Sequence, residues 1–338
     1  MAKIDVFPHI LPRAYWDRLQ EVALPRAHMM KRMRNIPVHW DLDKRFAIMD
    51  QYPDYQQVLT LSAPPIEEAV DPPLAPELAR LANDEMAKLV QQYPARFPGF
   101  VASLPMNAPD AIVPEIDRAI GQLGATGVQI FTNVNGLPLD RPEFRPLFDR
   151  MAELDLPVWV HPARTAATAD YPDEPRSRYD LWWAFGWPFE TSVFMGRMIF
   201  SGLFARHPNV KIITHHCGAM VPYFEGRVGG GLDQLGKRSD DDEDLAGKAR
   251  VGGRPIDAFR RFYADTALFG STAGLVCGLA FFGPEHVLFG TDMPFDPEGG
   301  LGFVRDTIAS IERMGLTDEV KHKIYEGNAR RMLRLRSV

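Results

Sequence analysis

Two patterns of hydrophobic positions alternate along this chain. Short apolar runs that are rich in β-branched residues and bounded by polar, Gly or Pro positions are typical of strands buried on both faces. Such runs predict strands at residues 3–6, 57–61, 100–104, 127–131, 158–161, 210–214, 262–265 and 287–290. Between them, apolar residues recur at helical spacing and predict helices at 76–93, 110–123, 141–154, 190–205, 221–235, 271–282 and 301–314.

The alternation of eight strands with helices predicts an α/β fold, specifically a (β/α)8 TIM-like barrel. A chain of 338 residues is long enough for one such barrel with insertions, and we expect residues 1–338 to form a single domain. No Gly-x-Gly-x-x-Gly sequence opens a predicted helix, which disfavours a dinucleotide-binding sheet.

Three segments exceed the minimal repeat of strand and helix. Residues 14–55 and 164–189 are too long for plain connections, so we expect both to be insertions over the C-terminal mouth of the barrel. The second segment could equally form a subunit contact. Residues 317–335 begin with Thr and end with several Arg residues, which predicts a C-terminal helix.

The composition narrows the classes of partner. Charged residues make up 24% of the chain and the net charge is −6, so we expect a small-molecule partner and neither nucleic acid nor membrane. We find no apolar run of the ~18 residues that a membrane span needs and expect no signal peptide. Cys217 and Cys277 lie far apart in the sequence, which speaks against a disulfide framework. We therefore expect a cytoplasmic protein.

Potential metal ligands stand at the ends of several predicted strands. His9 follows the first strand, His161 ends the fifth, His215 and His216 follow the sixth, and Asp292 follows the eighth. The C-terminal strand ends of a barrel meet at one mouth, where enzymes of this fold keep their chemistry. Taken singly, each His could be a packed neutral side chain and the Asp a helix cap. Together they predict a site for a divalent metal ion, which needs about three imidazole or carboxylate ligands.

Five motifs carry a resemblance to a known family. They are DVFPHILP at residues 5–12, VHP at 160–162, THHCG at 214–218, GTD at 290–292 and EGNARR at 326–331. In order and spacing they resemble the amidohydrolase superfamily. Within it, they look most like the branch of aminocarboxymuconate semialdehyde decarboxylase and the γ-resorcylate and 5-carboxyvanillate decarboxylases.

The resemblance implies a set of site residues. It implies His9, His161 and Asp292 as metal ligands, and His216 as the acid/base beside the metal or a further ligand, because residues 216–218 match the family's H-x-G. It also implies one divalent ion, with zinc expected first and manganese or iron as alternatives. We expect His215 to point to the opposite side of its strand. The branch commonly forms dimers or tetramers, so we expect a homodimer or homotetramer, with a hetero-oligomer as an alternative.

Two positions bear on that metal site. Phe7 stands where the branch usually has a first-strand His or Glu ligand, so one donor is lost and His215, His216 or a water must replace it. Residues 127–132 contain no Lys, which excludes the two-metal centre of the urease type.

Three functions remain open on the sequence alone. The first is a metal-dependent decarboxylase of a small aromatic or unsaturated carboxylic acid, with His216 and Asp292 as catalytic groups. The second is a metal-dependent hydrolase of an ester, lactone or amide, and the third is a barrel subunit that supports an active homologous partner, including one in metal-dependent oxidation. The tryptophans at 182, 183 and 187 favour a flat substrate, and Arg164 or Arg178 could receive its carboxylate.

Overall fold

The computed structural model describes residues 1–237 and 241–335. Its strands are β1 Lys3–Asp5, β2 His9–Ile10, β3 Tyr55–Leu61, β4 Gly99–Phe100, β5 Ala102–Ser103, β6 Val128–Phe131, β7 Asn133–Val134, β8 Leu137–Pro138, β9 Val158–His161, β10 Ile212–Thr214, β11 Tyr263–Asp265 and β12 Val287–Leu288. Its α-helices are α1 Arg13–Val22, α2 Met30–Arg34, α3 Leu42–Met49, α4 Ile66–Ala69, α5 Ala75–Gln92, α6 Pro109–Gly121, α7 Arg145–Leu154, α8 Leu181–Ala184, α9 Gly186–Phe200, α10 Leu203–Arg206, α11 Glu225–Leu232, α12 Asp242–Val251, α13 Pro255–Phe259, α14 Thr272–Phe282, α15 Leu301–Arg313, α16 Asp318–His322 and α17 Asn328–Leu333. Pro37–His39 and Pro142–Phe144 are 3₁₀ turns, and Lys323–Gly327 is a π-helical turn.

The parallel strands close into a barrel. Strand β3 pairs with β1, β2 and β4, and a second sheet runs in the order β12, β11, β10, β9, β6, β5. The amide of Val101, between β4 and β5, donates to Leu59 O, while Val6 N donates to Phe289 O just beyond β12, both at 2.9 Å. These hydrogen bonds join the two sheets on both sides. The predicted TIM-like barrel is confirmed, and all eight predicted strands are present with ends shifted by a few residues.

Alternating side chains divide the core into two parts. Trp159, Ile213 and Leu288 pack inside the barrel in a small cluster. Their neighbours Val158 and Ile212 belong to the larger cluster between the strands and the surrounding helices. Because successive side chains on a strand point to opposite faces, this assignment fixes which later residues face the barrel axis.

The long segments contain helices that meet above the barrel. Helices α2 and α3 lie within residues 14–55, and α8 lies within residues 164–189. The Arg32 guanidinium of α2 lies 5.4 Å from the ring centroids of Trp183 and of Phe295. The first segment therefore contacts both the second segment and the loop that follows β12. In the described ranges, none of the helices has the length and apolar character needed to cross a membrane.

The C-terminal segment packs beneath the barrel rather than forming one straight helix. The Thr317 side chain accepts a hydrogen bond from Val320 N, as its predicted capping role requires. The π turn at Lys323–Gly327 then separates α16 from α17. Asn328 Nδ2 donates to Val287 O at 2.8 Å, so the segment holds the last barrel strand in place.

Candidate metal centre

Four buried polar side chains converge at the mouth of the barrel. His9 opens β2, His161 ends β9, His215 directly follows β10, and Asp292 follows β12. One potential ligand atom from each lies within 4.8 Å of the others. The barrel produces this convergence because His161 lies two residues after the inward-facing Trp159, and His215 lies two residues after Ile213.

Hydrogen bonds fix the orientation of two of the imidazoles. His161 Nδ1 donates to Pro162 O at 2.7 Å, and His215 Nδ1 donates to the buried carboxylate of Asp265. Each bond leaves Nε2 as the free nitrogen of the ring. A carboxylate or carbonyl behind an imidazole is the usual arrangement around a protein-bound metal ion.

Several nitrogens in the cluster lack the partner that burial demands. Neither ring nitrogen of His9 makes a directed hydrogen bond with the described residues, and neither does His215 Nε2. Asp292 Oδ1 lies 2.9 Å from His9 Nε2 and 3.3 Å from His215 Nε2. Buried polar atoms without partners are rare, and an ion among three imidazoles and one carboxylate would satisfy His215 Nε2 and one ring nitrogen of His9. The residues therefore fit a divalent metal ion.

The electrostatics of the cluster favour a cation. Burial lowers the pKa of His9 and of His161, so both rings are neutral electron-pair donors at neutral pH. Burial acts against the charge of Asp292, but the nearby imidazoles of His215 and His9 outweigh it and lower the pKa of that carboxyl. Burial also opposes a charge on His215, yet Asp265 and Asp292 raise its pKa to about 9. A divalent ion would displace the proton that His215 carries.

The adjacent His216 lies beside this cluster and outside it. Its backbone has a positive φ of 56°, so the extended strand has already ended. Its Nδ1 donates to Ala267 O at 3.0 Å, and its ring stacks on His215 with centroids 3.8 Å apart. Burial lowers the pKa of His216 to about 4, and the neighbouring His215 adds to that effect. The expectation that His215 points away from the mouth is wrong, since its ring centroid lies 5.2 Å from that of His161.

Phe7 occupies the inner face of the barrel below the cluster. Its ring is fully buried and stacks on the His215 ring at 3.8 Å with an interplanar angle of 16°. Position 7 contributes no ligand, but it supports the ring of one. His215 thus brings the number of donors back to four.

The two arginines that were candidates for binding a carboxylate already have acidic partners. Arg164 Nη1 lies 3.1 Å from Glu190 Oε1, and Arg178 Nε lies 3.4 Å from Glu174 Oε1. Trp187 lies next to the cluster of potential ligands, since its ring meets that of His161 edge-on with the centroids 5.2 Å apart.

A narrow passage beside His161 shares part of its wall with a larger cavity. The passage has a volume of about 20 Å³, and its walls include His161, Phe131, Trp182 and Trp187. The cavity, here called the distal chamber, has a volume of about 880 Å³ and is lined by Arg26, Glu67, Asn133, Asn135, Glu190 and Arg197. Arg164 and its neighbours line both spaces. Sequence reasoning did not identify the chamber, because its walls combine loops with α4 and α9, and helical periodicity at 190–205 predicts the helix but not the space beside it.

Known proteins resemble this chain over nearly its full length. The family model described as Amidohydrolase matches residues 9–335. The 2-amino-3-carboxymuconate-6-semialdehyde decarboxylase of Dictyostelium discoideum is 31% identical over 98% of this chain and 92% of that protein. A gamma-resorcylate decarboxylase of a Polaromonas species is 31% identical over 87% of each protein.

Solved structures give the same picture of the fold. The 5-carboxyvanillate decarboxylase of Sphingomonas paucimobilis superimposes with a TM-score of 0.80 at 27% identity, over 99% of both chains. A dihydroxybenzoic acid decarboxylase of a Polaromonas species, described with bound manganese and the inhibitor 2-nitroresorcinol, superimposes with a TM-score of 0.78 at 24% identity. The match covers 100% of this chain and 98% of that one.

Proposed function

Because the chain belongs to the amidohydrolase family, we propose that it removes CO2 from a small aromatic or unsaturated carboxylic acid. The predicted branch and the predicted class, a metal-dependent decarboxylase, are both confirmed by the relatives. The observation in the structure that carries the proposal is the buried cluster of His9, His161, His215 and Asp292. Since this donor set is complete despite Phe7, the chain does not need an active partner to supply a ligand.

The reaction requires a proton at the carbon that loses CO2. The bond between that carbon and the carboxylate breaks, its electron pair stays on the carbon, and a proton then replaces the carboxylate. A divalent ion held by the cluster would supply Lewis acidity toward a substrate oxygen. The neutral donors His9 and His161 and the ionised Asp292 would hold that ion.

We assign the proton to His216. Its Nδ1 is committed to Ala267 O, so Nε2 can accept a proton from a substrate hydroxyl and return it to the reacting carbon. It is 9% exposed, compared with 0% for His215 and 3% for His161, which makes it the most accessible of these three imidazoles. Asp292 lies between His9 and His215 and remains ionised, so we assign it to ligation rather than to proton transfer.

The identity of the ion belongs to the proposal as well. Three imidazoles and one carboxylate suit zinc, and the same ligand types also bind manganese. Manganese is bound in the structurally similar dihydroxybenzoic acid decarboxylase. Metal-free protein reloaded with each ion separately distinguishes them, by stoichiometry and by turnover.

The experiment that tests the function measures products. Protein loaded with manganese or zinc is incubated with a panel of hydroxybenzoates and unsaturated diacids, and the released CO2 is compared with the ring or diene product. We expect equal amounts of CO2 and decarboxylated product, and none from Asp292→Asn treated in the same way. Products that have gained water, formed without CO2, would instead indicate hydrolysis.

Three further expectations remain proposals. We propose that residues 1–338 form one barrel domain in which 14–55 and 164–189 cover the mouth. We also propose that the chain assembles as a homodimer or homotetramer. Both cysteines are free thiols, which agrees with the proposed cytoplasmic location.

A further inference from the structure

The distal chamber is too large for the substrate that the metal centre alone would require. A volume of about 880 Å³ falls in the range of roughly 300–1,000 Å³ typical of pockets that enclose drug-sized ligands. A single-ring acid would leave most of it filled with water. The chamber shares Ala163, Arg164 and Thr165 with the wall of the passage, and that wall also includes His161.

The three arginines that line the chamber already pair with carboxylates. Arg164 pairs with Glu190 at 3.1 Å, and Arg197 pairs with Asp140 at 2.9 Å. Arg26 pairs with Asp71, also at 2.9 Å. A second anionic group on a ligand would have to displace one of these carboxylates. The chamber is therefore suited to uncharged polar groups.

One buried side chain in the chamber wall lacks a partner. Glu67, on α4, is 2% exposed, and its Oε1 makes no hydrogen bond to the residues that the structure describes. Its backbone carbonyl accepts from Asn135 Nδ2 at 2.8 Å, which fixes this part of the wall. Burial raises the pKa of the Glu67 carboxyl to about 8. At neutral pH the protonated carboxyl is therefore uncharged, in keeping with a chamber suited to uncharged groups.

We propose that the substrate is an extended carboxylic acid, and that its remote part, carrying uncharged hydroxyl or carbonyl groups, binds in the distal chamber. This inference rests on the proposed decarboxylase function, because it places the reacting end of the acid beside His161. The passage holds about one water, so entry of the acid group requires the rings of Trp182 and Trp187 to move apart. The distal chamber is already open, so the remote part of the acid binds there without a change in the protein.

Two ligands and a blocking variant test the proposal. Binding of 2-hydroxybenzoate and of a 2-hydroxybenzoate that carries a hydroxyphenyl ketone is measured by calorimetry on the manganese-loaded protein. Ala167 is exposed in the chamber wall, so Ala167→Trp should fill the chamber without entering the core. The matched control is Ala166→Trp, because Ala166 lines a separate surface pocket with room for the ring.

We expect the extended acid to bind the unaltered protein at least tenfold more tightly than the single-ring acid. Ala167→Trp should abolish that difference and leave the affinity for the single ring unchanged, whereas Ala166→Trp should change neither affinity. Equal affinity of the unaltered protein for both acids, or equal weakening of both by Ala167→Trp, would overturn the proposal.

These experiments test the chamber assignment separately from the proposed decarboxylation. If neither acid releases CO2 but the tenfold preference is present and lost in Ala167→Trp, the chamber assignment stands and decarboxylation fails. If both acids release CO2 and bind with equal affinity, the reaction stands and the chamber assignment fails.

Discussion

The metal cluster and the distal chamber lie side by side at one barrel mouth, but they are built differently. The cluster takes its groups from strand ends, where bonds to Pro162 and Asp265 fix the imidazoles. The chamber takes its walls from loops, from α4 and from one face of α9, and among the described residues Glu67 Oε1 there has no hydrogen-bond partner. The barrel thus determines the chemistry, and the connections determine which molecules reach it. Substitutions on the two sides should therefore have separable effects.

Asp292→Asn should have the largest effect. The variant replaces the only carboxylate of the four-residue cluster and leaves three imidazoles to hold the ion. We expect loss of bound metal, measured by mass spectrometry of digested protein, together with a fall in kcat of at least about 10³. His207→Ala is the control, because it removes a partly exposed His that pairs with Asp149 outside the cluster. Normal metal content in Asp292→Asn would contradict the ligand assignment.

The two adjacent histidines should respond in opposite ways. His215→Asn removes a member of the cluster, so we expect weaker metal binding and loss of turnover. His216→Asn should retain the metal and lower kcat by about 10²–10⁴, the usual contribution of a positioned proton-transfer group. Metal content, kcat and melting temperature of both variants distinguish these effects. Loss of metal from His216→Asn alone would reverse the two roles.

Asp265→Asn tests how far the strength of the cluster depends on groups behind it. Asp265 is not one of the four potential ligands, but its carboxylate accepts a hydrogen bond from His215 Nδ1. Loss of such a partner usually weakens metal affinity by about 10–100-fold. Competition with a chelator measures the change. An unchanged metal affinity would show that the His215 ring is held by its stacking on Phe7 instead.

Gly290→Ala should have the smallest effect of this series. A Cβ at position 290 would lie 2.9 Å from the Asp265 Cβ and 3.4 Å from the Phe7 Cβ, so these side chains must shift. We expect a loss of about 1–3 kcal/mol in the free energy of unfolding and a few-fold weaker metal binding. Gly121→Ala is the matched control, because a Cβ there meets no atom within 4 Å. Denaturant unfolding and chelator competition would detect both effects, and a silent Gly290→Ala would indicate a more adaptable cluster.

The sequence predicted the barrel well because buried strands have a strong local signature. The runs at β9 and β10 are apolar on both faces, so their positions emerge without tertiary information. The orientation of His215 was also encoded, since alternation from the inward-facing Ile213 points it to the barrel axis. The resemblance assigns His216 to the site through the family's H-x-G motif, and alternation counted from His216 then points His215 to the opposite side. The backbone leaves the extended conformation only at His216, which locates the end of the alternation.

The surroundings of the cluster could not be predicted in the same way. The ion pair between Arg164 and Glu190 joins residues 26 positions apart, and the sequence around each residue does not predict it. The lack of a hydrogen-bond partner for Glu67 Oε1 depends on how α4 packs against the surrounding segments. These features arise only in the folded structure, because the residues next to Arg164, Glu190 and Glu67 in the sequence form no pattern that predicts their contacts.

The C-terminal segment under the barrel has a consequence for how the protein is made. Asn328 holds the last strand through a hydrogen bond to Val287 O. Phe289, three residues before Asp292 in the sequence, donates a backbone hydrogen bond to Ile324 O. During synthesis the ribosome conceals the most recently added residues, so His9, His161 and His215 emerge long before the support for Asp292 does. The early histidines therefore spend most of translation without their carboxylate, and a nascent chain stalled before residue 324 should take up metal far more weakly than the released protein.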